Sequence, residues 1–362
     1  LEDLSFYKNL VENHGSPLII FYKNRLIKNY NNLKNALPNV VIHYAIKSNS
    51  NPLIVKTLND IGSSFDVASS TELKYCLKDN VPISNILYTH PIKTKEEILF
   101  FKNNKINTFV IDNISEIEKL SENDNILIRI KPVNIDCKHN LSKKFGCDIS
   151  DIFNISNKIR QNNMNLIGIC FHVGSQTLNP TPYLSTLKIL VNIYKKLEKS
   201  GFNLSILDIG GGFPNSWDNK VDIFEFCSPI REYLKNFDKY KIIAEPGRFL
   251  VSDTCESIFS IIGKNYRNNK LWYYVDEGIY NSFSDIIYDK ISYPIYDLYK
   301  QEKEICILAG QTCDSIDVIC KNIQLSNNLN YGDILISSDI GAYSSECASS
   351  FNGFLKTKYV GV

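Results

Sequence analysis

The chain has 362 residues, 44% of them hydrophobic and 22% charged, with a net charge of +1. That length holds one large domain and a smaller one, and the near-neutral balance removes the electrostatic case for nucleic acid or an anionic membrane as partner. Ten cysteines form no C-x-x-C pair and no zinc spacing. No apolar run is long enough for a bilayer and no secretory leader is seen, so reduced thiols, no metal, no membrane and a cytoplasmic location are the expectation.

In chain order, residues 17–22 read as a strand that precedes the main pattern. Residues 40–46 then form an apolar strand, and 52–61 a helix with Leu53, Ile54, Thr57, Leu58 and Ile61 on one face. Residues 65–68 are a strand and 70–78 a helix, with Ser70 as the expected N-cap. The alternation continues through strands at 86–88, 108–111, 126–130, 166–172, 206–209 and 242–244. Helical stretches follow at 94–103, 115–120, 149–160, 182–200 and 224–236. Crossovers of this length join parallel strands. So many successive β-α units predict a closed (β/α)8 barrel. After residue 250 the strand-like stretches 251–262, 271–275, 304–308 and 333–337 have few helices between them, which predicts a separate all-β domain. The expected division is residues 1–25 packing with the β domain, a barrel over 26–252 and the β domain over 253–362.

A barrel carries its chemistry at the C-terminal ends of its strands. Lys47 follows the first barrel strand, Asp66 lies in the second, Arg129 near the end of the fifth and His172 at the end of the sixth. Asp208-Ile209-Gly210-Gly211-Gly212 ends the seventh, and Glu245-Pro246-Gly247-Arg248 follows the eighth. Each has a bland reading: a solvated lysine, a core histidine, a tight turn, an ion pair of Glu245 with Arg248. Together they fall on one rim. Successive glycines let backbone N–H groups approach an anion, and loops after the last two strands are where such barrels hold phosphate. An amine, a phosphate cup and a carboxylate on one rim suit pyridoxal 5′-phosphate, with Lys47 for the aldehyde carbon, Glu245 for the ring nitrogen, His172 for the ring face and Ser175 for the phosphate. In the β domain, Cys313 beside Asp314 offers an acid, although a free cysteine is usually a small buried hydrophobe.

These segments resemble the alanine-racemase-fold, pyridoxal-phosphate-dependent decarboxylases of basic amino acids, the family of ornithine decarboxylase with arginine, lysine and diaminopimelate relatives. The resemblance runs from about Pro17 to Phe354. It rests on Tyr-Ala-Ile-Lys-Ser-Asn at 44–49, Phe-Asp-Val-Ala-Ser at 65–69, Lys-Phe-Gly at 144–146 and His-Val-Gly-Ser at 172–175. Asp-Ile-Gly-Gly-Gly-Phe-Pro at 208–214, Glu-Pro-Gly-Arg at 245–248, Cys-Asp-Ser at 313–315, Gly-Ala-Tyr at 341–343 and Phe-Asn-Gly-Phe at 351–354 complete it. It implies that Lys47 carries the cofactor, that Asp66, Arg129 and His172 surround the ring, and that Glu245 pairs with its nitrogen. Ser175, Gly210, Gly211, Gly212, Gly247, Arg248 and Tyr343 would hold the phosphate, and Cys313 would return a proton to the α-carbon. The family's Cys-Asp segment reaches into a partner's site, which implies a homodimer with shared active sites.

For substrate, the resemblance assigns Asp289 and Asp314 to a distal amine, with Tyr280 and Phe351 beside them. Cys-Asp points to ornithine or lysine, whereas diaminopimelate enzymes typically carry Cys-Glu, and an aspartate at 289 weighs against arginine. Ser315 stands where ornithine enzymes usually have Gly, and Asp276-Glu277-Gly278 departs from the commoner Asn-Asp-Gly, so diaminobutyrate and modified or carrier-bound amino acids stay open. Racemisation on the same fold is the second class, weighed down by Glu245. A non-catalytic regulator is the third, weighed down by Lys47, Glu245 and Cys313 together.

Overall fold

A computed structural model describes residues 2–138, 140–215, 221–288 and 290–362 of the chain. The chain divides into two compact units, one of Leu26–Leu250 and one of Leu1–Arg25 with Val251–Val362. The strands in chain order are β1 (Leu18–Phe21), β2 (Val40–Ala45), β3 (Ser64–Val67), β4 (Ile86–Tyr88), β5 (Thr108–Ile111), β6 (Asn125–Ile130), β7 (Asn165–Phe171), β8 (Ile206–Asp208) and β9 (Lys241–Ala244). They continue as β10 (Cys255–Arg267), β11 (Lys270–Val275), β12 (Ile295–Tyr296), β13 (Lys303–Ala309), β14 (Val318–Ser326), β15 (Ile334–Ser337) and β16 (Lys358–Gly361).

The first unit is the predicted closed barrel, β2 to β9 in sequence order, all parallel. These strands are short and nearly continuous apolar runs because both of their faces are covered. Leu87, Val110, Leu127, Cys170 and Ile243, one from each of five strands, pack together as a core cluster. The register sets Arg129, Cys170, Asp208 and Ile243 in one row across β6 to β9. Since side chains alternate along a strand, His172, Gly210 and Glu245 project two residues above that row. The rim chemistry is thus stacked directly on the apolar core.

The second unit is a mostly antiparallel sheet of eight strands, ordered β12-β15-β10-β11-β13-β14, with β1 pairing β10 and β16. Tyr7, Ile20, Ile258, Ile334 and Ile336 form its core cluster. The Tyr7 hydroxyl donates to Glu256 at 2.7 Å, which satisfies a carboxylate only 2% exposed.

Several local expectations need correction. Residues 115–120 form a 3-10 helix, Ile114–Lys119, capped by Asn113. Ser69, not Ser70, is the N-cap of Ser70–Lys78, its hydroxyl accepting from the Glu72 N–H. The stretch 251–262 starts with a short helix, Arg248–Val251, and its strand begins only at Cys255. Among the described residues no helix is long and apolar enough to cross a membrane, and no three His, Cys, Asp or Glu side chains gather as a metal site. Cys76, Cys147, Cys170, Cys227, Cys255 and Cys306 are buried thiols.

Candidate active site

Lys47 lies in a one-turn 3-10 helix, Ile46–Ser48, that ends β2. Its Nζ stands 3.5 Å from Asp66 Oδ2. Asp66 is 2% exposed, and its other oxygen accepts a short hydrogen bond from the Thr89 hydroxyl. These contacts satisfy a carboxylate that burial has removed from water.

The glycine loop and the Glu245 loop are tied to each other and to the lysine turn. Glu245 N–H donates to the Gly210 carbonyl at 2.8 Å, and Ala45 N–H to the Pro246 carbonyl at 3.1 Å. A Cβ on Gly211 would lie 2.4 Å from the Glu245 carbonyl oxygen and 3.0 Å from His172 Nε2. Gly212 has φ +112, a conformation an L side chain rarely adopts. The Tyr183 hydroxyl donates to the Gly211 carbonyl at 2.8 Å from inside the core. Thr177 N–H donates to the Gly212 carbonyl at 3.0 Å, so the loop bearing Ser175 is held alongside. Arg248 is 7% exposed.

Glu245 is 7% exposed, and its Oε1 is buried without a hydrogen-bond partner. Burial and the neighbouring Asp208 and Asp66 push its carboxyl well above the usual range. Burial also raises Asp208, to about 6. His172 is pushed the other way, well below its usual value, by burial and by Arg129 and Lys47. Its Nδ1 accepts from the Gly174 N–H at 3.0 Å, so the neutral ring carries its proton on Nε2. The Arg129 guanidinium lies 5.3 Å from the centre of the Phe145 ring, and His90 meets that ring edge-on at 5.8 Å. Gly146 N–H donates to Asp112 at 2.8 Å, fixing the Lys-Phe-Gly segment.

In the sheet unit, the loop after β13 carries an exposed Cys313 and a half-buried Asp314. Cys313 N–H donates to Asn352 Oδ1 at 2.9 Å. The Tyr280 hydroxyl makes a short hydrogen bond to Asp314 and its ring stacks on Phe351 at 4.6 Å. The Tyr280 hydroxyl and the Ile316 N–H hold Asp314 below the usual carboxylate range, and the same bond raises Tyr280 to about 12. Asp317 accepts from Ile279 N–H and Thr312 N–H, both at 3.0 Å, and so braces the loop from behind. Tyr343, with φ +58, precedes the short helix Ser344–Cys347. Asp289 lies outside the described residues.

The family model for the pyridoxal-dependent decarboxylase pyridoxal-binding domain matches residues 23–252. The chain belongs to that family. A lysine/ornithine decarboxylase of Selenomonas ruminantium is 31% identical over 353 residues, 96% of this chain and 90% of that one. The structure of a lysine/ornithine decarboxylase from Vibrio vulnificus with putrescine matches at TM-score 0.92 and 36% identity, covering 99% of this chain and 97% of that one. An arginine decarboxylase of Paramecium bursaria Chlorella virus, bound to agmatine, matches at TM-score 0.92 and 29% identity, over 99% of this chain and 100% of that one.

The decarboxylase uses pyridoxal phosphate, and its barrel rim fits that group. Glu245 offers a bare buried oxygen to an N–H, the glycine loop leaves no room for side chains, and Lys47 presents an amine. Of the residues singled out from sequence, Lys47, Asp66, Arg129, His172, Ser175, Gly210, Gly211, Gly212, Glu245, Gly247 and Arg248 all fall on the barrel unit, and Cys313, Asp314, Tyr280 and Phe351 cluster on the sheet unit. Sequence reasoning missed Thr89 and Tyr183, which no linear motif marks. It also gave no role to Asp208, although the quoted Asp-Ile-Gly-Gly-Gly run contains it.

Proposed function

We propose that this decarboxylase acts on a basic L-amino acid, ornithine or lysine, and releases carbon dioxide with putrescine or cadaverine. The observation that carries the reading is the buried, donor-free Oε1 of Glu245 on the same rim as Lys47. Pyridoxal phosphate, when bound, supplies a ring that draws in the electrons left on the α-carbon as carbon dioxide departs. Glu245 holds the proton on the ring nitrogen, which a racemase on this fold would not require. Lys47 supplies the amine that secures the cofactor and later releases the product, with Asp66 keeping that amine oriented. Neutral His172 lies on the ring face, and Arg129 beside it. Ser175, Gly210, Gly211, Gly212, Gly247, Arg248 and Tyr343 hold the phosphate.

On the substrate side, Cys313 returns a proton to the α-carbon. Asp314 and Asp289 receive the distal ammonium through charge-assisted hydrogen bonds, with Tyr280 and Phe351 lining the approach. Two copies form a homodimer that shares its sites, and the protein works in the cytoplasm. Substrates of the Selenomonas and Vibrio relatives support ornithine and lysine. The test is carbon dioxide release from ornithine, lysine, arginine, diaminobutyrate and diaminopimelate by the purified enzyme. Turnover of ornithine or lysine at least about tenfold above the others is expected, a margin near 1.4 kcal/mol. Preference for diaminopimelate or arginine would overturn the substrate assignment.

A further inference from the structure

Asp208 ends β8 directly beneath the glycine loop and is completely buried. Its Oδ1 accepts from the Gly210 N–H at 2.8 Å. Gly210 in turn accepts from the Glu245 N–H, also at 2.8 Å. That backbone link brings the two carboxyls into one neighbourhood, where burial and Asp208 push the Glu245 carboxyl above its usual range. Asp208 Oδ2 and Glu245 Oε1 are both buried without a hydrogen-bond partner. Two buried carboxyls that act on each other cannot both ionise cheaply, and a fully buried carboxyl left outside an ion pair is costly unless it serves a purpose.

We propose that Asp208 is a positioning residue that couples the two halves of the cofactor site: one oxygen fixes the glycine loop, and the negative charge on the other keeps a proton at the ring-facing end of Glu245. The inference rests on the reading that Glu245 faces the ring nitrogen.

The surroundings bear this out from every side. Asp66 on β3 adds a second negative charge, Arg129 on β6 opposes it, and Cys170 on β7 is held as a neutral thiol by burial beside the pair. Lys47, after β2, acts on Glu245 in the opposite sense to Asp66. Tyr194 feels Asp208 but stays a phenol, its hydroxyl bound to the Ile206 carbonyl at 2.6 Å. An anion on Asp208 raises the proton affinity of the Glu245 carboxyl. With the cofactor bound, Glu245 would hold its proton toward the ring nitrogen, and Asp208 would strengthen the hold.

Two substitutions separate the two jobs. Asp208→Asn keeps an acceptor for Gly210 but loses the charge, whereas Asp208→Ala loses both. The readout is the nitrogen resonance of holoenzyme carrying pyridoxal phosphate labelled with nitrogen-15 in the ring, followed against pH, together with cofactor affinity. In Asp208→Asn the ring nitrogen should lose its proton about one pH unit lower than in the parent, with cofactor affinity within about threefold. Asp208→Ala should show the same spectral change and bind the cofactor at least about tenfold more weakly. Coincident titrations of parent and Asp208→Asn, or equal cofactor affinity in the two variants, would overturn the proposal. Glu245→Gln serves as the control. If it leaves the ring resonance unmoved, the role of Glu245 fails and this proposal fails with it. If it moves the resonance while Asp208→Asn does not, only the role of Asp208 fails.

Discussion

The barrel rim and the Cys313–Asp314 loop both present carboxylates, but they prepare them in opposite ways. Burial raises Glu245 and Asp208, whereas hydrogen bonds from Tyr280 and Ile316 lower a half-buried Asp314. A site that must hold a proton is best served by desolvation, and one that must meet a cation in water by donors that keep it anionic. The contrast extends to packing. The rim is braced from within the core, by Tyr183 under Gly211, while the loop is braced by Asn352 and Tyr280 beside it and by the buried Asp317 behind it.

Substitutions can break this contrast in graded steps. Lys47→Ala should abolish the visible absorbance of lysine-bound cofactor and nearly all turnover, and full turnover in that variant would refute the proposed amine. Next, Glu245→Gln should lower kcat by about a hundredfold or more while the absorbance persists; a change confined to KM would place Glu245 outside the reacting ring. Asp314→Asn should act mainly on KM, raising it about tenfold to thirtyfold for a diamino acid, and a kcat effect alone would contradict its placement at the distal amine.

The smallest effect is on stability. Glu277 is fully buried, accepts from Gly278 N–H, Ser282 N–H and the Thr357 hydroxyl, and is raised by burial from 4.5 to about 7. The folded state therefore binds a proton that the unfolded chain has already lost, so stability falls as pH rises between those two values. Glu277→Gln should flatten the decline of Tm from pH 5 to pH 8 by a few degrees. An unchanged slope would show that another group governs it.

Much of the barrel is legible in the chain because each strand is a short apolar run and each crossover has helical periodicity. What stays hidden follows physical causes. The nine-residue strand Val318–Ser326 alternates apolar residues with Lys321, Asn322 and Gln324 in no clean period, since part of it faces solvent. Ser69 caps a helix in place of its neighbour because the two serines differ only in backbone geometry. The 3-10 turn at Ile114–Lys119 is built around Glu116, a buried carboxylate held by the buried Lys93 at 3.4 Å, a pairing across 23 residues that local periodicity cannot contain. At the site, motif residues were readable one by one, but Thr89 acts on Asp66, and Asp208 on Glu245, through partners on other strands.

The hydrogen bond from Ala45 to Pro246 has a consequence for quality control. It joins the first barrel strand to the loop after the last, so the lysine turn and the glutamate loop meet only when the barrel has closed. Held between that turn and that loop as proposed, pyridoxal phosphate would favour the closed barrel over partly folded chains. At about a thousand times its dissociation constant it would add roughly 4 kcal/mol to the closed state, so vitamin supply would set how long each copy survives proteolysis as well as how fast it works.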